Sequence, residues 1–120
     1  MKLLIVDDSL VIRNKINRAL LSHFNKVVRA EDGQKAIESV VAEKPDVVTM
    51  DLTMPNLGGV EAIIEIMKIA PQTHILVISA LADKDTAIQA LLHGANGFLC
   101  KPFTEQELSS AIARILKIEL

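Results

Sequence analysis

Leu3-Leu4-Ile5-Val6-Asp7-Asp8 opens the chain with a short apolar run that two acids cut off. Consecutive apolar residues without alternation read as a strand covered on both faces, because a strand with one wet face shows a polar residue at every second position. The same signature returns at Val27-Val28, at Val47 to Met50, at Ile75 to Ile78 and at Phe98 to Cys100. The opening run is no secretory leader: Asp7 and Asp8 end it too early, and no small-residue cleavage site follows.

Between these runs lie stripes with helical spacing. Ile12, Ile16, Ala19 and Leu20 make one, and Ala36, Ile37, Val40 and Val41 make another. Val60, Ile63, Ile64 and Met67 fit the i, i+3, i+4, i+7 template in full, and Ala87, Ile88 and Leu91 give a shorter stripe. Leu108, Ala111, Ile112, Ile115 and Leu116 form the last, with Thr104 and Glu107 placed as a capping box before it. Turn residues fall between the elements, at Asp32-Gly33, Lys44-Pro45, Asn56 to Gly59, Pro71 and Gly94 to Gly97. Strand–helix units repeated along 120 residues have about 24 residues each, which a strand of about 5, a helix of about 11 and two loops of about 4 fill. Strict alternation predicts an α/β protein with a five-stranded parallel sheet, doubly wound with five helices on its two faces.

Composition agrees. Half of the residues are apolar and 23% are charged, enough for a sizeable core and too apolar for a disordered chain. Cys100 is the only cysteine, so disulfide stapling is excluded and a reducing, cytoplasmic compartment is expected. Fifteen acids against thirteen bases give a net charge of −2 with no basic run, which removes the electrostatic footprint of nucleic-acid binding. No apolar run approaches the roughly 20 residues of a membrane span.

In an open parallel sheet, sites form beyond the carboxyl ends of the strands. Asp7 and Asp8 end the first strand, Asp51 the third, Ser79 the fourth, and Lys101-Pro102 follow the fifth. Carboxylates crowded there repel: two unit charges about 4 Å apart cost about 1 kcal/mol in water and about 4 at an effective dielectric of 20. One lysine cannot offset that, whereas a hard divalent cation can, and an all-oxygen site suits Mg²⁺ better than Zn²⁺. Such a site also suits a phosphoryl group in transit, which needs positioning and charge neutralisation more than covalent machinery. Asp51 is the candidate acceptor, since carboxylates form aspartyl phosphates.

The stretches Leu4-Ile5-Val6-Asp7-Asp8-Ser9, Pro45 to Pro55 around Asp51, Ile78-Ser79-Ala80, Gly94-Ala95 and Lys101-Pro102-Phe103 cover essentially the whole chain. Together they resemble the receiver domain of bacterial two-component response regulators, of the stand-alone chemotaxis type. The resemblance implies a flavodoxin-like fold with strand order 2-1-3-4-5, and a single receiver domain over residues 1–120 with no output domain. It implies that a sensor histidine kinase or phosphotransfer protein donates a phosphoryl group to Asp51. Asp8, Asp51 and the backbone carbonyl of Thr53 would bind Mg²⁺ directly, with Asp7 acting through water. Lys101 would pair with Asp51 at rest and with the phosphoryl oxygens afterwards, and Ser79 would hydrogen-bond the phosphoryl group.

Phe98 occupies the family's aromatic switch position; it lacks a phenolic hydroxyl, so any switching there works by packing. Thr53 and Leu81 sit where family members tune dephosphorylation. The Lys101-Pro102 peptide bond is expected to be cis. A downstream effector protein would bind around the fourth helix, fifth strand and fifth helix of a monomeric, cytoplasmic signalling protein that is not an enzyme acting on external substrates.

Other readings give different weights to the same residues. An aspartate-nucleophile phosphatase of the haloacid dehalogenase type wants two acids one residue apart, and Asp51-Leu52-Thr53 supplies one. A phosphorylation-independent protein-interaction module on the same fold remains an alternative, disfavoured by the intact acid set. Asp7 alone reads as a helix cap, Cys100 as an inert buried thiol, and His23, His74 and His93 lack the close spacing of a metal site. Gly94 to Gly97 is no nucleotide loop, since neither G-x-G-x-x-G nor a P-loop lysine is present.

Overall fold

The computed structural model describes residues 1–119, apart from the side chain of Leu81, so the role that the resemblance gives Leu81 lies outside the described residues. Strands and helices alternate as β1 (Lys2–Val6), α1 (Leu10–Leu20), β2 (Lys26–Ala30), α2 (Gly33–Glu43), β3 (Val47–Met50) and α3 (Gly59–Ile69). They continue as β4 (His74–Ala80), α4 (Lys84–Leu92), β5 (Gly97–Lys101) and α5 (Glu105–Leu116). The five strands form one parallel sheet in the order β2-β1-β3-β4-β5, the flavodoxin-like arrangement.

Alternation along the buried strands sorts side chains into two clusters. Leu4, Val6, Val48, Met50 and Val77 pack under α2, α3 and α4, against residues such as Ala36, Ile63 and Ala87. Leu3, Ile5, Val47, Leu76 and Ile78 pack under α1 and α5, against residues such as Ile16 and Ile112. The central strands β1 and β3 are buried along nearly their whole length, as their unbroken apolar runs require.

Helix starts are fixed by side chains that satisfy orphan backbone donors. Ser9 accepts from the amide of Ile12 and Asp32 from that of Lys35. Thr104 and Glu107 form the capping box that their spacing predicts. Gly59 begins α3 hard against the chain: a Cβ there would overlap the Asp51 carbonyl oxygen, so only glycine lets the helix start so close to that loop.

Two expectations are corrected. The stripe Ala87, Ile88, Leu91 is not the packed face of α4: the helix buries Ala87 and Ala90 and leaves Ile88, Leu91 and Leu92 exposed. Small alanines bring the helix close to the sheet and turn its bulky residues outward. Cys100, expected inside, is half-buried, because β5 is an edge strand covered incompletely along its length. Among the described residues no helix is long and apolar enough to cross a membrane.

Candidate functional site

Register places the acids. Val6 pairs with Met50, so the residues that follow, Asp7 and Asp51, leave the sheet side by side, and the Asp51 amide donates to the Val6 carbonyl at 3.0 Å. Asp7 and Asp51 are buried at 1% and 5% exposure, whereas Asp8 is exposed. One carboxylate oxygen from each of Asp7, Asp8 and Asp51 lies within 4.8 Å of the others. Lys101, carried in by the β4–β5 pairing, sets its ammonium 2.9 Å from Asp7 Oδ2 and 3.3 Å from Asp51 Oδ1. The lysine is thus shared, and sits nearer to Asp7 than to the Asp51 partner that the resemblance implies. The Lys101-Pro102 bond after it is cis, as expected.

Burial, then the Asp7 charge, push the Asp51 carboxyl from 3.8 up to about 6; the Lys101 ammonium opposes the rise and the Asp8 charge adds to it. Burial would lower the Lys101 ammonium, but its contact with Asp7 and the Asp51 charge outweigh that and hold it above its ordinary 10.5. One cation therefore faces more negative charge than it neutralises. Asp7 Oδ1 is occupied by the Ser9 amide at 2.9 Å, but its buried Oδ2 has no hydrogen-bond partner beyond the ion-pair contact with Lys101. Clustered hard oxygen donors with an under-satisfied buried oxygen fit Mg²⁺. Among the described residues no histidine or cysteine joins such a cluster. Asp7 is also not the helix cap that it would be in isolation, since Ser9 fills that place.

Ser79, next to last in β4, is fully buried, and its hydroxyl donates to Asp83 Oδ2 at 2.9 Å. Thr53, exposed in the loop after Asp51, donates its hydroxyl to the same oxygen at 3.3 Å. Asp83 is the residue that sequence reasoning missed. The signal available was an acid four positions beyond Ser79, and nothing in that spacing says that the chain turns the carboxylate back toward the strand end. Phe98 is half-buried on β5, packed partly against the cluster under α2, α3 and α4.

A family model described as the response regulator receiver domain matches residues 3–113. The chain is 38% identical over 117 residues to the chemotaxis protein CheY of Thermotoga maritima, covering 97% of this chain and 98% of that one. Among solved structures, the response regulator domain of Thermotoga maritima CheB superposes with a TM-score of 0.84 at 35% identity, covering 98% of this chain and 94% of that one. A chain of the CheX-CheY-BeF3-Mg²⁺ complex from Borrelia burgdorferi gives a TM-score of 0.90 at 28% identity, over 97% of this chain and 89% of that one.

Proposed function

This chain belongs to the response regulator receiver family, and from that membership we propose that residues 1–120 act as one receiver domain whose Asp51 accepts a phosphoryl group in an Mg²⁺-dependent reaction. The observation that carries the reading is the buried Asp51 carboxylate, set beside two further acids and within ion-pair distance of Lys101. An Asp51 oxygen attacks the phosphorus of a phosphohistidine on a kinase or phosphotransfer protein. The O–P bond forms as the P–N bond breaks, and the imidazole nitrogen leaves with the electron pair and takes a proton from solvent. Asp8, Asp51 and the Thr53 carbonyl would hold Mg²⁺, and Asp7 would act through water. When bound, the ion supplies the positive charge that the acids and the incoming phosphoryl oxygens lack.

The protein's own groups do the rest. Lys101, already between Asp7 and Asp51, shifts one contact to a phosphoryl oxygen. Ser79 donates its hydroxyl to another, and its loop follows. Phe98 repacks on β5 as that loop moves. The altered surface lies on α4, β5 and α5, where Ile88, Leu91 and Leu92 stand exposed for an effector protein.

Incubation with Mg²⁺ and acetyl phosphate, read by intact mass, tests the reading. Wild type should gain the mass of one phosphoryl group, and neither Asp51→Asn nor wild type without Mg²⁺ should. Equal modification of Asp51→Asn, or none in wild type, overturns it.

A further inference from the structure

Ser79, next to last in β4, and Thr53, in the loop after Asp51, come from two different elements, and both hydroxyls end on one oxygen, Asp83 Oδ2, at 2.9 and 3.3 Å. A serine hydroxyl has one proton to donate. While Asp83 holds it, Ser79 has none for a phosphoryl oxygen. Asp83 is also the residue immediately before α4, the last of a one-turn 3₁₀ segment (Leu81–Asp83) without the extended backbone of a capping residue, and its carboxylate bonds none of the first helical amides. The side chain turns instead to the end of β4 and the Thr53 loop.

We propose that Asp83 is a positioning residue that latches Ser79, and with it the loop between β4 and α4, in the resting arrangement. The proposal rests on the reading of Asp51 as phosphoacceptor. When Asp51 carries a phosphoryl group, Ser79 exchanges the Asp83 carboxylate for a phosphoryl oxygen. The freed carboxylate then faces the amides at the start of α4, the helix that exposes Ile88, Leu91 and Leu92. Chemistry at Asp51 and the pose of the effector-facing helix are joined through one side chain. Because a ligand shifts a two-state equilibrium only by its preference for one state, removing a contact confined to the resting state lowers the ligand concentration needed.

The test is a beryllofluoride titration at fixed Mg²⁺, followed through the amide NMR signals of α4, on wild type, Asp83→Ala, Asp83→Asn, Ser79→Ala and the Ser79→Ala/Asp83→Ala pair. Asp83→Ala should reach half-saturation at about fivefold lower concentration than wild type, the size expected from losing one partly exposed, charge-assisted hydrogen bond. Asp83→Asn, which keeps an acceptor oxygen, should fall between them. In the Ser79→Ala background the Asp83→Ala gain should shrink to less than twofold, because the latch is already gone. A fivefold gain that survives in that background means that only a repelling charge was removed, and overturns the latch. So does wild-type or weaker affinity in Asp83→Ala when wild type responds normally, an outcome that leaves the phosphoacceptor reading standing. No response in wild type overturns that reading, and the latch falls with it.

Discussion

Burial and the neighbouring Asp7 raise the Asp51 carboxyl from 3.8 to about 6 in the folded protein, whereas the unfolded chain leaves it near the ordinary carboxylate value. The folded state therefore binds this proton more tightly. Above about pH 6 the ionised group destabilises the fold, and as the pH falls through that value the penalty is relieved. The full shift corresponds to about 3 kcal/mol, and hydration of the partly open site reduces that to about 1–2. Metal-free Asp51→Asn should thus be about 1–2 kcal/mol more stable than wild type at pH 7.5, and the gap should narrow toward pH 5.5. Urea melts at the two pH values check it, and a gap that widens on acidification would contradict the assignment. Lys101→Ala leaves Asp7 Oδ2 buried without its ion pair and should cost about 2 kcal/mol in the same melts at pH 7.5. The acid set and Lys101 were legible because each comes at the end of a short apolar run. Asp83 was not, because its role depends on a side chain folding back across a bend that no periodicity records.

Among the elements, α5 shows how a local rule becomes energy. Its capping box satisfies orphan amides at an exposed helix start, so Thr104→Ala should cost about 1 kcal/mol, read as a lower urea midpoint at unchanged slope. Gly59→Ala acts differently: its new methyl collides with the Asp51 carbonyl oxygen, so it should disturb the acceptor loop and slow acetyl phosphate labelling as well as lower stability. The box could be read from Thr104 and Glu107 because both partners lie within one turn. The packed face of α4 could not. A short helix that packs through Ala87 and Ala90 offers the sheet little hydrophobic area, so its pattern points to the larger residues, which stay outside. The end of β4 was also read one residue short: beyond Ser79, paired with Cys100, the strand runs on to Ala80, paired with Lys101, because ladder bonds need no apolar side chain.

At the scale of the molecule the sheet is a partition. Apolar residues above and below it form separate clusters, with Ile63 in one and Ile112 in the other. Ile63→Val and Ile112→Val should each cost about 1 kcal/mol, and the double variant should match their sum within about 0.5. Thermal melts of the three proteins decide whether the faces are energetically separate. The order of the strands and the doubly wound layout were readable from the alternation of elements and the resemblance together. The division of labour between the two faces followed once register was known.

That partition meets its limit at one margin. Strand β5 closes the sheet, with α4 belonging to one layer and α5 to the other. A partner clasping this margin reads both layers at once, so a lineage that adopts a new partner there has to rewrite two otherwise independent halves in step, while each remains free to drift everywhere else.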